Sequence, residues 1–458
     1  MKVSTSPLRI AVIGAGPAGI YTAESLVKER DDVLVDIIDR LPAPFGLVRY
    51  GVAPDHQKMK SVTRMFHRTC SDPRVRFLGN VQYGRDLNHE DLQLHYHATV
   101  YAVGSPTGRR LGIPGEDLPG NLSATEFVGW YNGHPHYQDL DVPLSGERAV
   151  VIGVGNVAID VTRILAKSVE ELAQTDITDA ALAALRRSNI REITIVGRRG
   201  PAQARFTTKE LRELGELENA DIDVLPRDLQ LDAASRASLE DEPMLRRNVE
   251  VIEGFREIPA TGKPRRVRLR FFLSPVEIIG SDRVEAIRLE RNELVAGEDG
   301  RLSARGTGEI EEWPVDLVLR SVGYQGEAVD GVPFDERRRV IPNERGQVVT
   351  PDSEPVTGEF VAGWIKRGPS GVIGTNKADA METVRTLLSA RLREPARPSP
   401  EAVDSLLESR GVRAVSYDEW CRLDELEVRL GEPQGRPRVK FTRLEEMLER
   451  LQPVEQEE

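Results

Sequence analysis

"VIGAGPAGIY", Val12 to Tyr21, and "VIGVGNVAID", Val151 to Asp160, decide the fold of this 458-residue chain. Each is a glycine-rich turn between an apolar run and a helical one. Ahead of the first stands a short buried strand, Arg9–Ile13, and behind it "IYTAESLVKE" has helical spacing. "VLVDIIDR", Val33–Arg40, then reads as a second strand. Strand, glycine turn, helix, strand is the context in which such a loop binds a dinucleotide rather than merely packing.

"HATVYAVGS", His97–Ser105, adds another buried strand. The pattern then restarts at "ERAVVIGVGNVAIDVTRILA", with "REITIVGRRG", Arg191–Gly200, as its following strand. These two βαβ units are the only internal repeat and predict an α/β protein with two Rossmann-like domains. Between Leu165 and Asn189 lies a polar, Ala- and Leu-rich helical insertion that must loop out of the second unit. Val249 to Val318 is expected to be β-rich. Glu359–Thr375 reads as strand, glycine-rich turn and helix start, "REPARPSPEA" as a linker, and the remainder as amphipathic helices.

Composition narrows the chemistry. The chain is 39% apolar and 30% charged, and no apolar run approaches a membrane span. The opening residues lack the apolar core of a secretory signal, so a cytoplasmic enzyme is expected. Only two cysteines are present, Cys70 and Cys421. They exclude a disulfide framework, a Cys-x-x-Cys redox pair and a protein-held iron–sulfur cluster, so any redox chemistry must sit on a bound cofactor. A net charge of −12 argues against general nucleic-acid binding. His95/His97 and His134/His136 have no neighbouring carboxylate cluster in sequence, and no metal site is predicted.

The two loops differ in a telling way. In the first, Gly14, Gly16 and Gly19 supply the tight turn, the close approach of pyrophosphate and the helix–strand contact. The phosphates would sit at the helix N-terminus. Asp39 follows Gly19 by 20 residues. A carboxylate there accepts from ribose hydroxyls and repels a 2′-phosphate, which suits FAD or NAD. In the second, Gly153 and Gly155 are followed by Ala158, and the acid is replaced by Arg198 and Arg199. Guanidinium forks suit a phosphate, which points to NADP. FAD with NADPH is the simplest pair, because hydride passes from nicotinamide to flavin without a protein nucleophile.

The chain resembles the adrenodoxin reductase-like ferredoxin–NADP(+) reductases. The matching stretches are "GAGPAGIYTAE", "PFGLVRYGVAPDH", "LPGNLSATEFVGWYNG", "GVGNVAIDVTRIL", "VGRRGPAQARFTTKELRE", "VGYQG" and "GWIKRGPSGVIGT", in order from Gly14 to Thr375. "SRGVRAVSYDEW" extends the likeness further. The resemblance implies FAD against Ala18, Asp39, Leu47, Val81, Trp364 and Gly371, Val372 and Ile373. It implies NADP against Gly153, Asn156, Arg198, Arg199, Glu210 and again Gly371, with Gly155 and Val157 in the same loop. Because "GWIKRGPSGVIGT" must return to the flavin, the FAD domain is expected to be discontinuous. It would comprise residues 1–105 and 325–458, with an NADP domain of residues 106–324 inserted.

His56, Asp160 and Glu213 match positions near the nicotinamide–flavin junction and are the candidate catalytic residues. His56 would steer a proton, or else only bond its own turn; Glu213 would act in the site, or else be a solvated helical carboxylate. The implied activity is NADPH:ferredoxin oxidoreduction, with a ferredoxin-type iron–sulfur partner. Ferredoxins are typically acidic, and two windows are basic. Arg191–Arg212 holds six basic residues against two acidic, and Arg246–Arg270 eight against three. Arg212, Arg246 and Arg247 are the docking candidates, whereas the arginines of "PRRVRLR" read as the solvent face of an edge strand. Alternatives are an NADPH oxidase or diaphorase, a monooxygenase and a non-catalytic NADP(H) sensor. A disulfide reductase lacks its cysteine pair, and a glutamate-synthase-type small subunit its cysteine-rich motifs.

Overall fold

The computed structural model describes residues 7–297 and 302–452. The chain forms two compact units, Met1–Thr107 with Tyr324–Glu458, and Gly108–Gly323.

The first unit is built on a seven-stranded sheet. Its order is Asn343–Glu344, Gln347–Val349, Pro355–Val361, Ala98–Tyr101, Leu8–Ile13, Val33–Ile38, Val75–Leu78. The last five strands run parallel and the first two are an antiparallel addition. All six residues of Leu8–Ile13 are buried, as a parallel strand covered on both faces requires. The helix Pro17–Glu29 opens with proline at its first position, where the missing N–H costs nothing. Ten consecutive residues, Ala18 to Val27, are buried, because the helix is enclosed by the sheet and by the helix Thr375–Ser389.

The second unit carries six parallel strands in the order Asn121–Ser123, Leu317–Arg320, Arg148–Ile152, Glu192–Val196, Arg265–Arg270, Ala220–Val224. The helix Asn156–Ala166 follows Arg148–Ile152 through the second glycine loop, and Arg148–Ile152 pairs in register with Glu192–Val196. The insertion between them forms two short helices, Val169–Leu172 and Asp179–Arg186, capped by Ser168 and Thr178. It therefore leaves the strand pairing undisturbed. An antiparallel three-stranded sheet, Leu273–Ile279, Ala286–Ala296 and Leu302–Pro314, completes the unit.

Two expectations are corrected. The β-rich region does not begin at Val249: Pro243–Gly254 is a helix that buries Leu245, Asn248, Val249 and Ile252, a helical spacing that outweighs its β-branched residues. Strands start only at Arg265. Nor is "PRRVRLR" an edge strand. Ala220–Val224 occupies the edge and Arg265–Arg270 lies inside it, with Arg268 paired to Asp223 and Arg270 to the buried Asp228. Those arginines are spent on the fold.

Among the described residues, no helix is long and apolar enough to cross a membrane. The paired histidines have structural partners. His95 Nδ1 lies 2.9 Å from the Arg397 carbonyl, and His97 Nδ1 accepts the Arg9 N–H at 3.0 Å. His134 Nδ1 accepts the His136 N–H at 3.2 Å.

Candidate functional site

In both units the glycine loop leaves its strand the same way. Gly14 N–H bonds the Ile38 carbonyl at 2.8 Å, and Gly153 N–H the Val196 carbonyl at 2.9 Å. Both residues have positive φ, 109° and 130°. A side chain would also collide with backbone: a Cβ on Gly14 would stand 2.6 Å from the Ala102 oxygen, and one on Gly153 2.1 Å from the Ser321 oxygen. The third position explains why the loops differ. A Cβ on Gly19 would lie 1.9 Å from the Gly14 oxygen, so the first helix sits too close for any side chain. Ala158 is fully buried yet accommodated.

In the first unit a cavity of about 310 Å³ opens beside the loop, lined by Gly14, Asp39, Val81, Val103, Glu327 and Asp330 among others. Asp39 stands at its wall. One carboxylate oxygen accepts the Ala15 N–H at 2.7 Å and the other the Leu41 N–H at 3.0 Å. Burial pushes its carboxyl above the usual range, and these two backbone bonds oppose that shift. Each oxygen keeps a second lone pair, so the residue both fixes the loop and retains acceptor capacity. Val81 is buried and its N–H bonds the Asp39 carbonyl at 2.9 Å. Ala18 packs under the same loop, and Gly363 approaches it so closely that a Cβ there would stand 2.5 Å from the Ala18 Cβ.

The segment after Gly363 is a short turn of helix, Trp364–Arg367, followed by an open loop. Trp364 donates through Nε1 to the Ser370 carbonyl at 3.1 Å and stacks at a tilt on Tyr324, ring centroids 5.2 Å apart. Val372 N–H is held by the Thr375 hydroxyl at 3.1 Å, while the Val372 side chain is 65% exposed. Leu47 is also partly exposed. His56 is half-buried at the start of the one-turn helix Gln57–Lys60, and its N–H bonds the Ala53 carbonyl at 3.0 Å.

In the second unit Arg198 is exposed and Arg199 half-buried, on the turn after Glu192–Val196. A third arginine, not singled out from sequence, joins them. Arg205 pairs with the loop itself: its N–H bonds the Val154 carbonyl at 2.9 Å, in a parallel bridge to Gly155. Burial, together with the charges of Arg198 and Arg205, lowers the proton affinity of Arg199. Among the described residues no carboxylate pairs with any of the three. Three guanidinium groups crowded without a counter-charge at a glycine loop are chemically suited to a polyanion. Asn156 accepts the Thr207 N–H at 2.8 Å, and the buried Glu210 accepts the Thr207 hydroxyl proton at 2.9 Å. Val157 is half-buried beside them on the first turn.

Asp160 and Glu213 are brought together, by a residue that sequence reading missed. Arg163 is 1% exposed and its Nη1 lies 2.9 Å from Asp160 and 3.2 Å from Glu213. Glu213 is therefore not a solvated helical carboxylate; it is half of a shared ion pair with a buried cation. His56 belongs to the other unit. Arg212 and Arg247 line one open groove with Thr208, Lys209, Glu213 and Glu216. Arg246 is exposed nearby on the same helix as Arg247.

Comparison with known proteins places this architecture. The model of the pyridine nucleotide-disulphide oxidoreductase family matches residues 8–353. The disulphide of that name has no counterpart here, since Cys70 and Cys421 are both free. The chain is 46% identical over 459 residues to NADPH-ferredoxin reductase FprA of Mycobacterium tuberculosis, covering 96% of this chain and 98% of that one. It is 43% identical to the mitochondrial NADPH:adrenodoxin oxidoreductase of Salvelinus fontinalis, covering 97% and 91%. The structure of M. tuberculosis FprA in complex with NADPH superposes with a TM-score of 0.92 over 97% of this chain and 99% of that one, at 46% identity. This chain belongs to the pyridine nucleotide-disulphide oxidoreductases and, within them, to the adrenodoxin reductase-like ferredoxin–NADP(+) reductases.

Proposed function

We propose that the chain is an FAD-containing NADPH:ferredoxin oxidoreductase, in which the first unit holds FAD and the second NADPH. The observation that carries this assignment is the opposition of charge at two otherwise equivalent loops. Asp39 stands after the first, and Arg198, Arg199 and Arg205 stand unneutralised at the second. The relatives' names supply the partner class, since they are NADPH–ferredoxin and NADPH:adrenodoxin reductases.

The residues of the first unit fit FAD. The cavity beside Gly14 is bounded by the Asp39 carboxylate and closed below by Val81, an arrangement suited to adenosine. Ala18, Leu47, Gly371, Val372 and Ile373 complete the proposed contacts. The chemistry supplied by bound FAD is acceptance of hydride from NADPH and release of electrons one at a time to an iron–sulfur acceptor. The protein's part is to bind, orient and exclude. Trp364, held by Ser370 and Tyr324, is the proposed aromatic wall beside the reacting rings. His56 is the proposed group that moves a proton. Asp160 and Glu213 have lone pairs engaged by Arg163, so their proposed role is positioning.

For the pyridine nucleotide, Arg198, Arg199 and Arg205 read the 2′-phosphate and loop residues Gly153, Gly155, Asn156 and Val157 take the pyrophosphate. Glu210 fixes Thr207 at the loop. For the iron–sulfur protein, Arg212, Arg246 and Arg247 are the proposed docking cations, whereas Arg268 and Arg270 of the same basic stretch are paired with Asp223 and Asp228. Reduction of the flavin by NADPH in preference to NADH, followed by reoxidation with ferredoxin, tests the assignment.

A further inference from the structure

The segment from Pro400 to Leu451 takes no part in the reading above, yet it carries a buried charge. Glu427, on the helix Tyr417–Gly431, is 0% exposed. It receives Arg49 at both oxygens, Nη1 to Oε2 at 2.9 Å and Nη2 to Oε1 at 2.5 Å. The Phe441 N–H adds a bond at 2.9 Å to Oε1, and Arg438 reaches Oε2 at 3.4 Å. The Arg49 guanidinium also lies 4.8 Å from the Trp420 ring centroid and 5.2 Å from that of Tyr50. Burial opposes its charge most strongly of any single cause, but Glu427 and Tyr50 together outweigh it and raise the proton affinity of Arg49. Removing one partner of a pair taken this far from water leaves the other charge buried and uncompensated.

That pair is tied to the first dinucleotide loop. Arg49 sits in the one-turn helix Leu47–Tyr50, directly after Gly46. A Cβ on Gly46 would stand 2.9 Å from the Gly16 Cα, and Phe45 N–H bonds the Ala15 carbonyl at 2.8 Å. Phe45 has a φ of 83°, which a residue other than glycine keeps only when its surroundings impose it. The Trp420 ring meets Phe45 edge-on at 6.2 Å. The same segment touches the cavity's other wall. Val415 exchanges two backbone bonds of 2.8 Å with Gly79, and the Arg413 carbonyl accepts from Asn80 at 2.8 Å, one and two residues before Val81.

We propose that residues 400–451 brace the flavin site, with Glu427 as the positioning residue that, through Arg49, sets how closely Gly46 and Leu47 stand to the dinucleotide loop. The proposal rests on the reading of the first unit as the flavin site.

The test compares Glu427→Gln and Glu427→Ala with Leu185→Ala. Leu185 is a buried residue on the helix Asp179–Arg186 of the second unit, and its loss destabilises the protein without removing any part of the brace or of the flavin cavity. FAD dissociation is measured by flavin fluorescence on each holoprotein, with the visible flavin spectrum, the thermal midpoint, and kcat and KM for NADPH at saturating FAD. We expect both Glu427 variants to loosen FAD by about tenfold or more, equivalent to about 1.4 kcal/mol. The flavin band shape should change while the NADPH KM does not. Leu185→Ala should lower the midpoint with FAD affinity within about twofold. Should Glu427→Ala fail to fold, the isosteric Glu427→Gln carries the comparison. Unchanged FAD affinity in Glu427→Gln, or equal loosening by Leu185→Ala at a matched midpoint, overturns the proposal. A wild-type protein that binds no flavin overturns the flavin reading instead.

Discussion

Replacing Arg198 and Arg199 with alanine should convert a strongly NADPH-selective enzyme into one that barely distinguishes the two nicotinamide cofactors. The magnitude follows from where the guanidinium groups lie. A hydrogen bond to a charged group contributes about 1.5–3 kcal/mol. Arg198 is exposed and belongs at the low end of that range, whereas Arg199 is half-buried and belongs nearer the top. Together they are worth about 3–5 kcal/mol, or roughly two to three and a half powers of ten in kcat/KM for NADPH. Arg205, anchored to the loop by its backbone but with an exposed side chain, should add about a further tenfold or less. Because NADH has no 2′-phosphate, its kcat/KM should move by no more than about threefold. The assay is steady-state ferricyanide or ferredoxin reduction with each nucleotide, for the single, double and triple variants at low and high salt. Salt should erode the wild-type preference, since the exposed part of the cluster is screened. Equal losses for NADPH and NADH would refute the phosphate role.

Three further outcomes follow from the same structure. Arg163→Met strands Asp160 and Glu213 around a lost buried cation. It should cost about 3–5 kcal/mol in denaturant unfolding, part of which Arg163→Met with Asp160→Asn and Glu213→Gln recovers. The double variant Cys70→Ser, Cys421→Ser should retain electron transfer to ferredoxin. Burial pushes the Cys70 thiol up to about 12, so iodoacetamide at neutral pH should leave Cys70 unmodified in the native protein, as mass spectrometry would show. Finally, hydrogen bonding from Arg85 holds the Asp86 carboxyl below its ordinary 3.8, and Asp91, despite burial, is held below 3.8 by Arg410. Folded values below unfolded ones stabilise above about pH 4 and lose that contribution as pH falls through the folded values. Arg410→Ala should therefore lower the thermal midpoint at neutral pH and shrink its difference from wild type below about pH 3.

Much of the fold was readable because the loops carry it. The spacing of Gly14, Gly16 and Gly19 and of Gly153, Gly155 and Ala158 fixes strand, turn and helix locally. The sign of the residue after the next strand, Asp39 in the first unit and Arg198 and Arg199 in the second, distinguishes the two loops and carries the proposed assignment of the two cofactors. What escaped was non-local or masked by local chemistry. Arg163 lies within "VAIDVTRIL", where its charge looks like a solvent-facing interruption, and only folding reveals two carboxylates around it. Arg205 stands between the buried Ala204 and Phe206, and its bridge to Gly155 has no sequence signature. Arg49 and Glu427 are 378 residues apart. The sequence pattern places the start of the β-rich region too early because Val249, Val251 and Ile252 are β-branched, although Leu245, Val249 and Ile252 already carry a helical stripe. The edge-strand misreading has a different cause. Strand order Glu192–Val196, Arg265–Arg270, Ala220–Val224 is not chain order, and crossover topology leaves no mark on the pattern of a single strand.

The most direct test of the central claim is anaerobic stopped-flow absorbance of the purified holoprotein, mixed in parallel with NADPH and with NADH and then with oxidised ferredoxin. The predicted result is bound flavin that bleaches rapidly with NADPH, bleaches more slowly with NADH, and recovers its colour as ferredoxin is reduced. Bleaching that ferredoxin fails to reverse, but oxygen does, would contradict the assignment of an iron–sulfur partner. Protein purified without any flavin, and unable to take it up, would contradict the account at its root.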